Sequence, residues 1–128
     1  MQKVAKFLNA SNTDEIIKSL KLAISELYPM NVFEIRDGLK PNLEKSENKN
    51  KVFKIIKEIV QILKNIRKEL DIKKIEPFKI LKNKEQHEKL KELVEKNHVS
   101  WKLIEIRNLL LKENANDPWF AGHLWMFH

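Results

Sequence analysis

The chain contains no cysteine among its 128 residues, and it has only two glycines and four prolines. Without cysteine it can form neither disulfide bonds nor thiolate metal sites, and it has no cysteine nucleophile. The shortage of glycine and proline argues against a β-sandwich or β-barrel, because these folds need many tight turns. Glycine-rich phosphate loops and the G-x-S-x-G nucleophile motif are also absent from the sequence.

Long hydrophobic runs are missing as well. Uninterrupted apolar stretches are only a few residues long, whereas a membrane-spanning helix needs about 20 apolar residues. The N-terminal segment lacks the apolar run of a signal peptide and becomes acidic early. These features predict an intracellular, cytoplasmic protein that does not associate with membranes.

What is present is a regular helical pattern. Hydrophobic residues make up 42% of the chain, which is enough for the core of a single domain over residues 1–128. Apolar side chains recur at helical spacing, and no β-hairpin signal occurs. The sequence therefore predicts an all-α bundle of six or seven helices, with helical segments at 2–9, 13–28, 31–39, 47–70, 83–97 and 100–111 and one or two helical turns near the C-terminus.

Capping signals and loops set the expected boundaries of these helices. Asn31 with Glu34, and Asn83 with Gln86, have the spacing of capping boxes, and Ser100 is the expected N-cap of the next helix. Before the helix at 13–28, the sequence offers three capping side chains: Ser11, Asn12 and Thr13. We expect residues 40–48 to form a polar loop. The helix after Ser100 has the widest apolar arc, starting at Trp101, and is predicted to be the most buried.

Two segments of the chain resemble each other. Residues 34–36 and 105–107 both read Glu-Ile-Arg, and the offset of 71 also aligns parts of the preceding helices. One interpretation is an internal repeat of two helix-turn-helix-like, three-helix units over residues 13–70 and 84–128. The alternative is that both segments are ordinary amphipathic helices whose charged side chains face water.

Most of the net charge of +7 is concentrated in one region. Residues 40–79 contain twelve basic and six acidic residues and so carry a net charge of +6. On the long helix at 47–70, four lysines lie opposite the apolar stripe and two further basic residues flank them: Lys54, Lys57, Lys64 and Lys68, with Lys51 and Arg67. Such a row could contact the phosphates of DNA or RNA, or it could simply keep a small bundle in solution.

The composition of this row limits what it could recognise. Lysine predominates over arginine, which does not favour bidentate reading of guanine. No aromatic residue occurs between Lys54 and Lys68, so stacking on single strands is not expected. The row therefore predicts contacts to the phosphate backbone with little sequence preference.

Four of the ten aromatic residues lie close to the C-terminus. They are either part of the core, as a helix closing the bundle, or an exposed anchor for a protein partner or a second copy of the chain. The residues concerned are Trp119, Phe120, Trp125 and Phe127.

Evidence for catalysis or a metal site is weak. The spacing of the histidines is not that of a helical metal site; they are His87, His98, His123 and His128. The best polar candidates are the charged pairs of the two Glu-Ile-Arg segments, for which surface ion pairs are the simpler explanation. We therefore expect no cofactor and no metal, and we predict a noncatalytic nucleic-acid-binding module, with a protein-interaction adaptor as the alternative.

Overall fold

The computed structural model describes residues 12–27, 33–70, 80–112 and 122–127, the side chains of residues 80–84 and 86 excepted. These ranges contain five helices and two short strands: Thr13–Ser25 (α1), Phe33–Ile35 (β1), Leu39–Lys45 (α2), Lys49–Glu69 (α3), Ile80–Lys96 (α4), Val99–Leu111 (α5) and Trp125–Phe127 (β2). The mostly helical class is confirmed, but the described ranges hold five helices rather than six or seven. The helix expected at residues 2–9 lies outside them.

Helix α3 is the centre of the structure. The sequence predicts a helix over 47–70, and the structure has it from Lys49 to Glu69, 21 residues that span about 31 Å. The other four described helices all pack against it. Its buried face consists of Val52, Phe53, Ile55, Ile56, Ile59, Val60, Leu63 and Ile66. Because burying one aliphatic side chain contributes about 1.5–3 kcal/mol, this face contributes a large share of the stability of the fold.

Helix α1 begins at the expected capping side chain. The Oδ1 atom of Asn12 accepts a hydrogen bond from the backbone N–H of Glu15 at 3.2 Å, which satisfies a donor that has no partner within the helix. Asp14 and Glu15 in the first turn interact favourably with the positive end of the helix dipole. The helix ends at Ser25, before the predicted end at residue 28.

The prediction of a helix that opens at Asn31 is wrong for the residues of this segment that the structure describes, which begin at Phe33. Phe33–Ile35 is a β-strand, which pairs antiparallel with Trp125–Phe127, so that Ile35 lies opposite Trp125. The helical turns predicted for the C-terminal segment are therefore also wrong at these residues. Aromatic and β-branched side chains favour strands once a partner strand is available, and here the partner is about 90 residues away in the chain.

The small sheet brings the C-terminal segment into the core. The side chain of Trp125 is only 1% exposed, and Phe33 and Leu124 are buried beside it. The rings of Phe33 and Phe127 pack with their centroids 6.0 Å apart. Trp125 thus has the core position expected in one interpretation of the aromatic tail, but it lies on a strand instead of a helix.

The segment between β1 and α3 differs from the predicted polar loop over 40–48. Helix α2 occupies Leu39–Lys45 and buries Leu39 and Leu43 against the core. Pro41 is compatible with this helix because it lies in the first turn, where a backbone N–H would have no helical acceptor. Gly38, which precedes the helix, lies against the backbone of His123: a Cβ atom at this position would overlap its carbonyl group, with the carbonyl carbon 2.9 Å away.

Helices α4 and α5 form a hairpin whose boundaries also differ from expectation. Asn83 lies inside α4, so it is not the N-cap, and α5 begins at Val99 rather than after Ser100. The turn is made by His98 in the left-handed conformation, with φ of 59°. Helix α5 runs antiparallel to α3, since the side chain of Asn48 donates to the carbonyl of Leu109 while Lys102 pairs with Glu58.

Helix α5 buries five of its 13 residues, whereas α1, which has the same length, buries six, so the prediction that α5 is the most buried helix is wrong. Trp101, which was expected in its apolar arc, is 60% exposed. The two Glu-Ile-Arg segments also occupy different structures. Glu34 and Ile35 lie in strand β1, whereas residues 105–107 lie in helix α5. The fold therefore does not place the matched tripeptides in equivalent positions, and it lends no support to the proposed repeat.

Replacing Gly38 with alanine tests the close approach to His123. We expect Gly38→Ala to lower the free energy of unfolding by about 1–3 kcal/mol, because the added methyl group forces the backbone segments apart. Urea denaturation followed by circular dichroism measures this change. Lys45→Ala, on the exposed surface of α2, is the control and should change stability by less than about 0.5 kcal/mol. Equal stability of the Gly38→Ala protein and the unsubstituted protein would contradict the packing described.

A matched pair of tryptophan substitutions tests whether strand β2 belongs to the core. We expect Trp125→Ala to cost about 3–5 kcal/mol of stability, since it leaves a large cavity. Trp101→Ala removes an exposed ring and should cost less than about 0.5 kcal/mol. The comparison uses the same denaturation measurement, and similar losses for the two variants would refute the assigned burial.

Candidate nucleic-acid interface

The predicted row of lysines lies on the solvent-facing side of α3. Lys54, Lys57, Lys64 and Lys68 are all exposed, and Gln61 is exposed between them. The fourteen-residue separation of the outer pair corresponds to about 21 Å along the helix axis. We refer to these four lysines as the lysine face. The lysine face points to solvent because the apolar residues recur at helical spacing on the opposite side of α3, and that side is buried.

The edges of the lysine face are tied to neighbouring helices. On one edge, Glu58 accepts a hydrogen bond from the ammonium group of Lys102 in α5 at 2.8 Å. On the other edge, Nε of Arg67 lies 3.8 Å from a carboxylate oxygen of Glu26, the residue that caps the end of α1. Glu58 is thus paired with a side chain of another helix, Arg67 is half-buried beside Glu26, and Glu69 is exposed next to Lys68.

Several basic side chains of α3 have no acidic partner within the described ranges. Lys51, Lys54, Lys64 and Lys68 make no ion pair with any residue that the structure describes. Their charges are therefore compensated there by solvent and salt ions alone. An anionic polymer lying along α3 would displace those ions, which is the main source of affinity in nonspecific nucleic-acid binding.

The aromatic residues proposed as an alternative docking site are not gathered on the described surface. Trp125 is buried and Phe127 is half-buried against Phe33. Burial removes Trp125 from consideration as an exposed anchor in this conformation. Trp119 and Phe120 lie outside the described residues.

The polar candidates of the Glu-Ile-Arg segments also do not form one site. Glu34 and Arg36 pair with each other at 3.3 Å next to the sheet, whereas Glu105 is exposed on α5 and Arg107 is buried. Among the residues that the structure describes, no group of three or more histidine or acidic side chains could hold a metal ion. His128 lies outside this set.

Sequence reasoning missed one concave surface, which we call the α1 cleft. It has a volume of about 470 Å³ and lies between α1 and the segment that leads from β1 into α2. Four of the residues that line it are basic and two are acidic: Lys18, Lys21, Arg36 and Lys40, with Asp14 and Asp37. Nothing in the sequence pattern indicates this grouping, because residues 36–40 were expected to continue a helix and enter a loop.

One ion pair crosses the α1 cleft. The ammonium group of Lys40 lies 2.7 Å from a carboxylate oxygen of Asp14. The hydrogen bond to this carboxylate, with its negative charge, raises the pKa of Lys40 above 10.5. Both side chains are exposed, so the pair contributes little to stability.

No described helix is both long enough and apolar enough to cross a membrane. Comparison with known proteins adds no further assignment: no family model matches the chain, and neither a curated protein nor a solved structure is similar to it. The function of the protein therefore has to be inferred from its own residues.

The pKa of Lys40 provides a test of the geometry around α1. We expect Asp14→Asn to return this pKa toward 10.5, because the amide removes the negative charge. Because the pKa of Lys40 is higher in the folded state, the small stabilisation from the Lys40–Asp14 pair is fully present below the pKa of Lys40 in the unfolded chain. It disappears as the pH rises through the pKa of Lys40 in the folded state. An NMR titration of the Lys40 side chain between neutral and strongly alkaline pH measures the shift. An unchanged titration in the Asp14→Asn variant would contradict the ion pair.

Proposed function

We propose that this protein is a noncatalytic nucleic-acid-binding module that contacts phosphates through the lysine face of α3. The observation that carries the proposal is the row of four exposed lysines over about 21 Å of a single helix. Because phosphates of one B-DNA strand are spaced by about 3.4 Å along the helix axis, this row has a length comparable to about six of them.

The chemistry of the row favours backbone contact over base recognition. An ammonium group is a compact point charge that attracts phosphate oxygens but lacks the planar fork with which arginine recognises guanine. Arg67 has such a fork, but it is half-buried at the edge of the lysine face, with Nε 3.8 Å from a carboxylate oxygen of Glu26. We therefore infer binding with little sequence preference, of the kind expected from a subunit of a nucleoprotein assembly.

The rigidity of α3 supports this role. Its opposite side is buried from Val52 to Ile66, so the backbone positions of the four lysines are set by a helix that packs on the core rather than by a loop. Only the side chains need to lose freedom on binding. This lowers the entropic cost of association relative to a disordered basic segment.

A salt-dependent titration tests the proposal directly. We expect fluorescein-labelled duplex DNA and duplex RNA to bind with an affinity that falls steeply with salt. Four phosphate contacts predict a slope of about −3.6 for the logarithm of the association constant against the logarithm of salt concentration on DNA. Lys57→Glu with Lys64→Glu should reduce the size of this slope by about 1.8 and weaken binding to all sequences alike.

The matched control reverses two lysines on a different helix. Lys91 and Lys96 are exposed on α4, so Lys91→Glu with Lys96→Glu changes the net charge by the same amount away from the lysine face. Fluorescence anisotropy should show a smaller loss for this control. The proposal is rejected if both double variants lose the same affinity, or if the unsubstituted protein binds neither polymer at low salt.

A further inference from the structure

The α1 cleft differs from the lysine face in position as well as in shape. On α1, Glu26 lies at the edge that meets α3 through Arg67, whereas Lys21 lines the cleft. Five residues separate Glu26 from Lys21, which places them about 140° apart around the helix. The cleft is therefore on the side of α1 that faces β1 and α2, away from α3.

The cleft has an excess of positive charge. Its four basic side chains exceed its two acidic ones, so the lining carries a net charge of +2. Asp14 compensates Lys40 through the ion pair at 2.7 Å. Lys18 and Lys21 make no ion pair with any other described residue. They are three residues apart on one wall, a spacing at which side chains on a helix are neighbours and can reach the same ligand.

The opposite wall holds a guanidinium group in a defined position. The backbone N–H of Arg36 donates to the carbonyl of Leu124 at 2.8 Å, which fixes this residue to the end of the sheet. Its side chain lies between two neighbours: Nη2 contacts the sulfur of Met126 at 3.1 Å, and Nε lies 3.3 Å from a carboxylate oxygen of Glu34 without a hydrogen bond. A guanidinium that is already oriented loses little freedom when it binds an anion.

We propose that the α1 cleft binds the phosphate group of a small phosphorylated molecule. A phosphate monoester carries a charge of about −1.5 to −2 at neutral pH, opposite in sign to the net charge of the lining, part of which Glu34 offsets at Arg36. Lys18 and Lys21 supply ammonium donors from α1, and Arg36 supplies guanidinium donors from the opposite wall. The volume of about 470 Å³ is within the range of small-molecule sites and leaves room for an organic group beside the phosphate.

The experiment uses phenyl phosphate as the probe and benzenesulfonate as its singly charged counterpart of similar shape. Two-dimensional amide NMR at low salt should show shifts at residues of the α1 cleft when phenyl phosphate is added. The affinity for benzenesulfonate should be lower by a factor of roughly ten or more, since this anion lacks the second charge that the lining would compensate. Equal affinity for the two anions would overturn the proposal, as would the absence of shifts in the cleft.

Two matched double variants separate this site from the lysine face. Lys18→Gln with Lys21→Gln should weaken phenyl phosphate binding by roughly tenfold or more, because it removes two charge-assisted hydrogen bonds. Lys54→Gln with Lys64→Gln removes the same charge from α3 and should leave this affinity unchanged. Equal losses would mean that the anion responds only to net charge, which contradicts the proposal. Titrating duplex DNA with the Lys18→Gln, Lys21→Gln variant tests the lysine face separately from the α1 cleft. Each proposed site can therefore fail without the other.

Discussion

The burial of the apolar side of α3 is the constraint on which the rest of the structure depends. All the other described helices pack against this helix, and its inward side chains form a continuous row from Val52 to Ile66. Once that side faces inward, helical periodicity leaves the lysines at positions 54, 57, 64 and 68 no orientation except toward solvent. The hydrophobic effect thus positions the charged surface, although it acts on none of its charges.

The second organising contact is the short sheet between Phe33–Ile35 and Trp125–Phe127. It joins segments that are far apart in the chain, and it carries Trp125 and Leu124 into the core. The pairing also fixes the position of Arg36, whose backbone N–H donates a hydrogen bond to the carbonyl of Leu124. The α1 cleft exists because this sheet and the start of α2 are held against α1, so its formation depends on the closure of the fold.

Basic side chains serve two different purposes in this molecule. Some connect elements to one another, as Lys102 does with Glu58 and Arg67 with Glu26. These pairs are partly exposed, so each adds little stability and mainly fixes an orientation. The others are Lys54, Lys64 and Lys68 of the lysine face and Lys18 and Lys21 of α1, which make no ion pair with any residue that the structure describes. Since bringing like charges together is unfavourable, these two groups of lysines are the basis of the two binding sites that we propose.

Periodicity alone was sufficient for the predictions that concern single helices. The boundaries of α3 agree with the sequence to within two residues, the N-cap of α1 is among the expected side chains, and the exposure of the lysine face follows directly from the apolar pattern. All of these depend on interactions between residues three or four positions apart. The predictions failed where a segment can form either a helix or a strand, as at Phe33–Ile35 and Trp125–Phe127.

The residues of the sequence by themselves therefore determined a helical protein with a long amphipathic helix and a basic outer side. Only the tertiary structure decided that the C-terminal aromatics pair with β1, that Trp125 is buried while Trp101 is exposed, and that Arg36 faces Lys18 and Lys21 across a cleft. The physical reason is the range of the interactions. Helical spacing is encoded within a few neighbouring residues, whereas strand pairing and concave surfaces depend on which distant segments the core brings together.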